Sequence, residues 1–325
     1  MKNPKIITLG APPADAEVDA WYGLLAAGHA HDLPGIPGPS RTETAGRLQV
    51  APARGRAVCL AVPGADGSFD AVAALLLYSD PGNAHAAFLD LLAVRPQARR
   101  QGTGTALWER VRAELAADGR TSVSTVVDLG GPGEAFARAL GFDNALPMAW
   151  YVQQVDEAKE EPALPDGYRL VFWRGIVPDE YATAAAVAHA AMEDAPSGDL
   201  DEQTPQWDAE KLRSAERLVL DRGGRILTVA AVDAAGDVAA YTELVLTDPE
   251  TVRAVQYDTV VVPAHRGRGL GRAVKLAMLA ELRELHPGVR EIATTVADDN
   301  LPMRTVNEQL GYRRERACGY FQLGL

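Results

Sequence analysis

Cysteine is scarce in this chain, and its histidines follow no metal-binding spacing. The 325 residues include two cysteines, Cys59 and Cys318, with no Cys-x-x-Cys pair, and six histidines with no His-Glu-x-x-His pattern. These absences argue against a disulfide framework and against the common zinc sites. We therefore expect no metal, a reducing cytoplasmic location, and structural or exposed roles for all six histidines.

Long apolar runs and an excess of basic residues are also missing. No apolar stretch approaches the roughly 20 residues that cross a bilayer, and the first ten residues are too polar for a signal peptide. The formal net charge of −12 disfavours binding to nucleic acid or to an anionic membrane. Apolar residues make up 47% of the chain, which is typical of a folded protein, and its length suggests about two domains.

The same order of predicted elements occurs twice along the chain. Each half has an apolar strand, a glycine-rich turn, a helix, a second strand and a short helix that ends at Gly-Phe or Gly-Tyr. The turns are residues 99–104 and 266–271, and the closing pairs are Gly141-Phe142 and Gly311-Tyr312. The two turns are 167 residues apart and the closing pairs 170, so a three-residue insertion reconciles them. The sequence therefore predicts one architecture written twice.

A polar, acidic segment separates the two halves. Residues 153–168 contain two prolines and few apolar side chains, a composition typical of a linker. We predict an N-terminal domain at 1–154, a linker at 155–166 and a C-terminal domain at 167–325.

A glycine-rich turn between a strand and a helix is suited to binding an anion. The first amides of a helix have no intrahelical acceptor, and the helix dipole adds partial positive charge there. Arg266, Arg268 and Arg272 place further phosphate donors around the second turn. The turn lacks both the Gly-Lys-Ser/Thr ending and the third glycine of the common nucleotide-binding loops. It predicts a phosphate or pyrophosphate ligand of another kind.

Both turns fit the pattern R-x-x-G-x-G, as Arg99–Gly102–Gly104 and Arg266–Gly269–Gly271, and here the chain resembles the GNAT superfamily of acyl-CoA-dependent N-acetyltransferases. The later stretch 300-NLPMRTVNEQLGY-312 resembles that family's final motif, an Asn followed by a helix that ends in Gly-Phe or Gly-Tyr. The resemblance implies an α/β (α+β) fold of two tandem domains, each a mixed, mostly antiparallel twisted sheet flanked by helices. In architecture such a chain resembles mycothiol synthase.

The resemblance also implies acetyl-CoA, or another acyl-CoA, as co-substrate. In that family one strand parts from its neighbour and pairs with the pantetheine arm, while the turn binds the pyrophosphate. In the second half these positions are Val260, Val261, Val262, Arg266, Gly267, Arg268, Gly269, Leu270, Gly271, Arg272 and Asn300. In the first half they are Leu92, Ala93, Val94, Arg99, Arg100, Gln101, Gly102, Thr103 and Gly104. A buried strand alone would equally explain the three valines.

The resemblance leaves the acid of the reaction open. The family usually has a Tyr seven residues after the motif Asn, where it protonates the departing sulfur. Here that position is Asn307, which can donate a hydrogen bond to sulfur but is no proton donor of suitable pKa. Departure of a thiolate, or an acid role for Tyr312 or Tyr320, remain the alternatives.

A carboxylate on the splayed strand is where the family often keeps its base. Alternation along 256–262 predicts that Gln256 and Asp258 share one face, so Asp258 is our first candidate and Glu243 the second. Asp90 has the same position relative to Val94 as Asp258 has to Val262. A structural hydrogen-bonding role shared by both halves is therefore the alternative.

The first half departs further from the family pattern. Its residues at the positions of Asn300 and Asn307 are Gly130 and Ala137. We expect this half to keep the coenzyme A loop but to have lost acceptor chemistry, which leaves the second half as the catalytic domain.

The acceptor is the least determined part of the prediction. The loop at 193–208 carries six carboxylates beside Trp207, which could hold a cationic acceptor or could be a solvated loop. The leading hypothesis is acetyl transfer to the amine of a small molecule such as an amino sugar, an antibiotic or a thiol cofactor precursor, by a monomer or homodimer. A protein or peptide amine acetyltransferase and a non-catalytic acyl-CoA-binding regulatory protein are the alternatives.

Overall fold

The computed structural model describes residues 4–155, 162–204 and 206–325. This part of the chain contains eight α-helices and twelve β-strands, divided between two compact units. Unit 1 comprises Met1–Leu146, Gly198–Pro205 and Cys318–Leu325, and unit 2 comprises Pro147–Ser197 and Gln206–Ala317. The predicted α/β fold with mostly antiparallel sheets is confirmed.

Unit 1 is built on six strands in the order β1-β2-β3-β4-β5-β12. Its strands are β1 (Ile7–Thr8), β2 (Gly55–Pro63), β3 (Phe69–Tyr78), β4 (Ala86–Val94), β5 (Ser122–Asp128) and the end of β12 (Arg313–Gly324). Its helices are α1 (Asp15–Asp32), α2 (Arg41–Gln49), α3 (Thr103–Ala117) and α4 (Pro132–Ala139). The pair β4–β5 is parallel, and the pairs β1–β2, β2–β3, β3–β4 and β5–β12 are antiparallel.

Unit 2 repeats this plan in the order β6-β11-β10-β9-β8-β7. Its strands are β6 (Asp143–Gln154, from Pro147 onward), β7 (Tyr168–Arg174), β8 (Arg225–Asp233), β9 (Val238–Leu246), β10 (Arg253–Val261) and β11 (Glu291–Ala297). Its helices are α5 (Asp179–Ala190), α6 (Ala209–Asp221), α7 (Leu270–Leu285) and α8 (Leu301–Gln309). Here β10–β11 is the parallel pair.

The final strand of each half completes the sheet of the other unit. The end of β12 pairs antiparallel with β5 of unit 1, from Cys318 opposite Asp128 to Gly324 opposite Ser122. Strand β6 pairs with β11 of unit 2, with Met148 opposite Ala297 at one end. The contiguous domains predicted at 1–154 and 167–325 do not include this exchange, because hydrophobic patterning shows that a strand exists and not which edge it joins. Residues 156–161 of the predicted linker lie outside the described residues.

Each sheet has apolar side chains on both faces. In unit 1 one face packs on α3 through Leu107, Trp108 and Val111, and the other packs on α1 through Trp21 and Leu24. In unit 2, α7 covers one face and α5 the other. Both sheets are therefore central layers between helices. No described helix has the length and hydropathy needed to cross a membrane.

The strand exchange gives a stability prediction. Phe321 on β12 is fully buried in the core of unit 1, so Phe321→Ala should destabilise that unit by about 3–5 kcal/mol, since a large buried ring is replaced by a cavity. Hydrogen exchange should accelerate in β2 and β3, although the substitution is at the C-terminal end of the chain.

The matched variant is Tyr151→Ala on β6, whose ring is buried in the core of unit 2. It should accelerate exchange in β8 and β9 and leave β2 and β3 protected. Faster hydrogen exchange in β8 and β9 for Phe321→Ala, or in β2 and β3 for Tyr151→Ala, would contradict the strand exchange.

Candidate functional site

Both glycine turns end in the same backbone conformation at the start of a helix. Gly102 precedes α3 with φ +85°, and Gly269 precedes α7 with φ +79°, a left-handed conformation that disfavours other residues. Two residues earlier Gly267 has φ +75° and its counterpart Arg100 has φ +62°. The turns are therefore alike in shape, and each presents the unbonded amides of a first helical turn.

The second glycine of each turn lies close to the preceding strand. A Cβ on Gly104 would lie 3.4 Å from a methyl of Val94, and one on Gly271 would lie 3.3 Å from a methyl of Val261. There is thus little room for a side chain where the helix meets the strand. A backbone cradle of this kind fits the pyrophosphate of coenzyme A, which needs amide donors and close approach.

The arginines of the turns are engaged by protein partners. Arg266 donates from Nε to the carbonyl of Val261 and from Nη2 to Asp194, at 3.1 and 2.6 Å. Arg99 makes the same pair of contacts, with the carbonyl of Val94 and with Asp32. Hence this arginine fixes the turn to the strand and to the helix layer. Arg268 donates to the hydroxyl of Tyr168 at 2.7 Å.

The parallel strands part beside each turn. The register of β10 with β11 ends at Val255 opposite Ala293, and that of β4 with β5 ends at Phe88 opposite Ser124. At each fork a threonine of the second strand donates to the first: Thr294 to the carbonyl of Gln256 and Thr125 to that of Leu89. Beyond the fork β10 no longer pairs with β11 along the predicted coenzyme A positions 260–262, where the carbonyl of Val261 accepts from Arg266.

These matching contacts fix the structural correspondence between the two halves. Val94 matches Val261, because each accepts from the turn arginine and meets the second glycine. Asp258 therefore matches Leu91, and Asp90 matches the exposed Tyr257. The predicted equivalence of Asp90 and Asp258 was wrong by one residue, so a structural role shared by the two aspartates is excluded.

A β-bulge also overturns the predicted shared face of Gln256 and Asp258. The register between β9 and β10 shifts between Gln256 and Thr259, where two residues of β10 lie opposite one of β9. Gln256 donates to the hydroxyl of Thr242 on the face that carries Tyr312. Asp258 lies on the other face, toward α5.

Asp258 belongs to a cluster that includes a histidine the sequence did not single out. Its Oδ2 lies 3.5 Å from Nδ1 of His189 on α5, and that nitrogen shares a short hydrogen bond with the hydroxyl of Tyr241. The ring of Trp207 packs on the imidazole at 4.0 Å between centroids. Because His189 lies in an alanine-rich helix, no metal or catalytic spacing marked it in the sequence.

Burial sets the protonation of this cluster. It lowers the pKa of His189, and it raises the pKa of Asp258 while the nearby imidazole opposes that rise. The pKa of Glu243 on β9 is raised well above its usual range by burial and by the charges of Asp258 and Glu216. Burial therefore favours the uncharged form of all three groups, while Asp258 and His189 each favour the charged form of the other.

A second polar cluster lies on the opposite face, beneath α7 and α8. Asn307 is fully buried, and its Oδ1 accepts from Nζ of the buried Lys275 at 2.7 Å. That Nζ lies 4.6 Å from the ring centre of Tyr312, whose hydroxyl donates to Oε1 of Gln256 at 2.7 Å. The sequence did not single out Lys275, because it is one of five charged residues on α7 and no pattern marks it as buried.

Unit 1 has apolar residues at the corresponding positions of both clusters. Leu91 and Ala74 stand where unit 2 has Asp258 and Glu243, and they pack against the core beneath α1. On the other face the counterparts of Lys275, Asn307, Tyr312, Gln256 and Thr242 are Trp108, Ala137, Phe142, Leu89 and Ala73, all in one core cluster. The polar groups are thus a property of unit 2 and not of the shared fold.

The remaining predicted residues have structural partners in the described chain. Asn300 caps α8 by accepting from the amide of Met303 at 3.2 Å. Tyr320 lies in unit 1, 5.7 Å between ring centres from Phe88, and burial raises the pKa of its hydroxyl. No group of three or more His, Cys, Asp or Glu residues in the described ranges is placed to hold a metal ion.

Four carboxylates of the 193–208 loop have partners in the described chain. Asp194 pairs with Arg266, and Asp208 caps α6 through the amide of Lys211. In unit 1, Glu202 pairs with Arg54 at 3.1 Å and the hydroxyl of Ser122 donates to Asp201 at 3.1 Å. A role for this loop in binding a cationic acceptor stays a prediction, and Trp207 itself packs on His189.

Comparison with known proteins gives one family for both halves. The model of the acetyltransferase (GNAT) family matches residues 42–142 and 185–312. Mycothiol acetyltransferase of Salinispora tropica is 31% identical over 238 residues, which are 72% of each chain. That of Saccharomonospora viridis is 32% identical over 234 residues, 68% of this chain and 69% of the relative.

Solved structures show the tandem arrangement. A tandem GNAT protein from the clavulanic acid biosynthesis pathway has a TM-score of 0.83 and 29% identity, with 98% of each chain covered. A GCN5-related N-acetyltransferase from Sphaerobacter thermophilus shares the fold at a TM-score of 0.68 and 19% identity, covering 98% of this chain and 95% of its own. With two family matches, two glycine turns and two strand forks, the chain belongs to the GNAT family of acyl-CoA-dependent N-acetyltransferases, in its tandem two-domain form.

Proposed function

We propose that unit 2 transfers the acetyl group of acetyl-CoA to the amine of a small molecule by direct attack, and that unit 1 keeps a coenzyme A turn without acceptor chemistry. The observation that carries the proposal is the pair of polar clusters on either side of the fork in unit 2, because unit 1 has the same backbone with apolar side chains there. Acetyl-CoA supplies the thioester.

The chain's own residues supply binding and proton transfer. The turn at Gly267–Arg272 holds the pyrophosphate through its amides, and the edge of β10 beyond the fork pairs with the pantetheine arm. Asp258, ionised and beside His189, takes a proton from the attacking ammonium or amine. Glu243, whose pKa is raised by burial and by the nearby carboxylates, is the second candidate for this role.

The alternatives differ in what they require of this site. The proposed acceptor is small because Trp207, Tyr241 and His189 close around Asp258 on the α5 side. A peptide amine would require an extended groove beside Asp258. The relatives, both named acetyltransferases, support an enzyme over a non-catalytic binding protein.

The assignment of coenzyme A to the two turns is tested by calorimetric titration with acetyl-CoA. We expect two sites. Gly269→Glu should weaken one of them about 100-fold, because like-charge juxtaposition costs several kcal/mol, and Gly102→Glu should weaken the other.

The matched controls Gly269→Ala and Gly102→Ala keep the strain at positive φ without the charge, and should weaken binding far less. Activity should survive Gly102→Glu and be lost with Gly269→Glu. Loss of activity with Gly102→Glu alone, in a protein that still melts like the wild type, would move the reaction to unit 1.

The base is tested by Asp258→Asn against Glu243→Gln in a panel of small amines, with released thiol as the readout. Asp258→Asn should lower kcat/KM about 10² to 10³-fold, the usual contribution of a general base. Glu243→Gln should have a small effect, because an amide imitates a protonated carboxyl.

The pH profile follows from the same assignment. Asp258 works only when ionised, so activity should rise with pH through its pKa, which burial places above the usual value of 3.8. Asp258→Asn should remove that acid limb. A larger loss for Glu243→Gln than for Asp258→Asn would assign the base to Glu243.

A further inference from the structure

The polar cluster beneath α7 and α8 takes no part in the proton transfer assigned to Asp258. Its members are Lys275, Asn307, Tyr312, Gln256 and Thr242, and all five are buried. They form a connected series from Thr242 through Gln256 and the hydroxyl of Tyr312 to the ring face of Tyr312, Nζ of Lys275 and Asn307. Gln256 is the residue at which β10 parts from β11.

The cluster contains a donor that lacks a partner. Nδ2 of Asn307 is buried and has no hydrogen-bond acceptor in the described chain, although Oδ1 of the same amide is engaged by Lys275. Buried polar groups are nearly always paired, and an unpaired one calls for a ligand or water. The orphan amide and the ammonium beside it together present donors to an acceptor atom that the protein itself does not supply.

Unit 1 shows that the fold does not require these groups. Trp108 and Phe142 fill the positions of Lys275 and Tyr312, with ring centres 5.3 Å apart, and Ala137 stands at the position of Asn307. A buried lysine without a carboxylate partner is unfavourable for stability. Its presence in unit 2 alone ties it to the chemistry of unit 2.

The resemblance to the GNAT family relates this position to the reacting sulfur. Asn307 occupies the place from which the family's tyrosine reaches the departing thiol, and Lys275 lies one hydrogen bond away from it on the helix that follows the pyrophosphate turn. We propose that Lys275, oriented by Asn307, is the acid that protonates the sulfur of coenzyme A as it leaves. This inference rests on the proposed function of unit 2.

The proposed step balances in protons and electrons. The acceptor nitrogen bonds to the acetyl carbon, the carbon–sulfur bond breaks, and its electron pair goes to sulfur. A proton passes from Nζ of Lys275 to that sulfur, which leaves a neutral lysine and a free thiol. The proton lost by the acceptor nitrogen goes to Asp258, and both groups return to their starting states by exchange with water.

The surroundings of Lys275 are compatible with this role. Burial alone lowers its pKa to about 7, so it gives up a proton near neutral pH. The groups that face it are the Asn307 amide from α8 and the Tyr312 phenol at the start of β12, with Gln256 and Thr242 of β10 and β9 behind the phenol. Burial raises the phenol pKa of Tyr312, so that group stays neutral while Lys275 titrates.

The first experiment follows the thiol of bound coenzyme A and does not depend on turnover. The thiolate is followed by its ultraviolet absorbance as a function of pH. The full-length protein carries Gly102→Glu, which weakens binding at the unit 1 turn, so that the signal comes from coenzyme A bound to unit 2. Without further substitution, bound coenzyme A should form thiolate at lower pH than free coenzyme A, because the ammonium favours the anion. Lys275→Met should abolish that shift, and the control Lys5→Met should retain it.

Kinetics and stability separate an acid from a structural lysine. Lys275→Met should lower kcat about 10² to 10³-fold with little change in KM, and it should remove the loss of activity that the wild type shows as pH rises above about 7. The melting temperature of Lys275→Met at pH 6 should equal or exceed that of the wild type, because the buried charge is gone.

The outcomes distinguish this inference from the function on which it rests. An unchanged thiol pKa, or an unchanged basic limb of the pH profile, in a Lys275→Met protein that binds coenzyme A would overturn the role of Lys275 and leave the function of unit 2 intact. Binding to unit 2 that survives Gly269→Glu would overturn both.

Discussion

The structure of the site depends on one constraint, the parting of two parallel strands in each sheet. Where β10 leaves β11, the backbone of β10 loses its partner on one edge, and a single threonine hydroxyl holds the fork at Gln256. An unpaired strand edge inside a protein is unfavourable unless something completes it. The fork therefore creates both the space and the hydrogen-bonding groups for an extended ligand, and the glycine turn lies at the end of the same strand.

The bulge beside the fork decides which side chains reach that space. By placing two residues of β10 opposite one of β9, it turns Gln256 to the α7 face and Asp258 to the α5 face. One strand thereby contributes to two polar clusters on opposite sides of the same fork. The separation keeps a carboxylate beside an imidazole apart from an ammonium beside an amide. An acid and a base that were in contact would neutralise one another.

Much of this arrangement follows from the sequence. Glycine spacing, apolar runs and the helix-ending Gly-Tyr pair predict two α/β halves and both turns, because they report local backbone requirements. The exchange of β6 and β12 could not be predicted, since strand partners depend on contacts far apart in the chain. The bulge could not be predicted either, because one extra residue in 256–262 leaves the pattern of residue types unchanged. It nevertheless reverses the face of the sheet on which each following residue of the strand lies.

The two missed side chains, His189 and Lys275, lie in helices that carry other charged residues, which are Asp179 and Glu180 on α5 and Arg272, Glu281, Arg283 and Glu284 on α7. A polar residue on such a helix is predicted to be exposed or to be a satisfied core group, and the sequence pattern does not distinguish the two. The internal repeat could have helped. Aligning Lys275 with Trp108 and Asp258 with Leu91 shows a polar residue in one copy where the other has an apolar one. That alignment requires Val94 to be matched with Val261 and not with Val262. The arginine contacts in the structure establish this match.

Comparison of the two copies separates what the fold needs from what the chemistry needs. Both copies keep the turn arginine, the carboxylate that holds it, the left-handed glycine and the threonine at the fork, so these residues maintain the backbone cradle. Only unit 2 has Lys275, Asn307, Glu243 and Asp258, each at a position where unit 1 packs an apolar side chain. Buried polar groups lower stability relative to apolar packing of the same space. Unit 2 therefore retains these groups at a cost to the stability of its own core. Such a local deficit is expected at a reacting centre, and it supports the proposal that the second unit carries the chemistry.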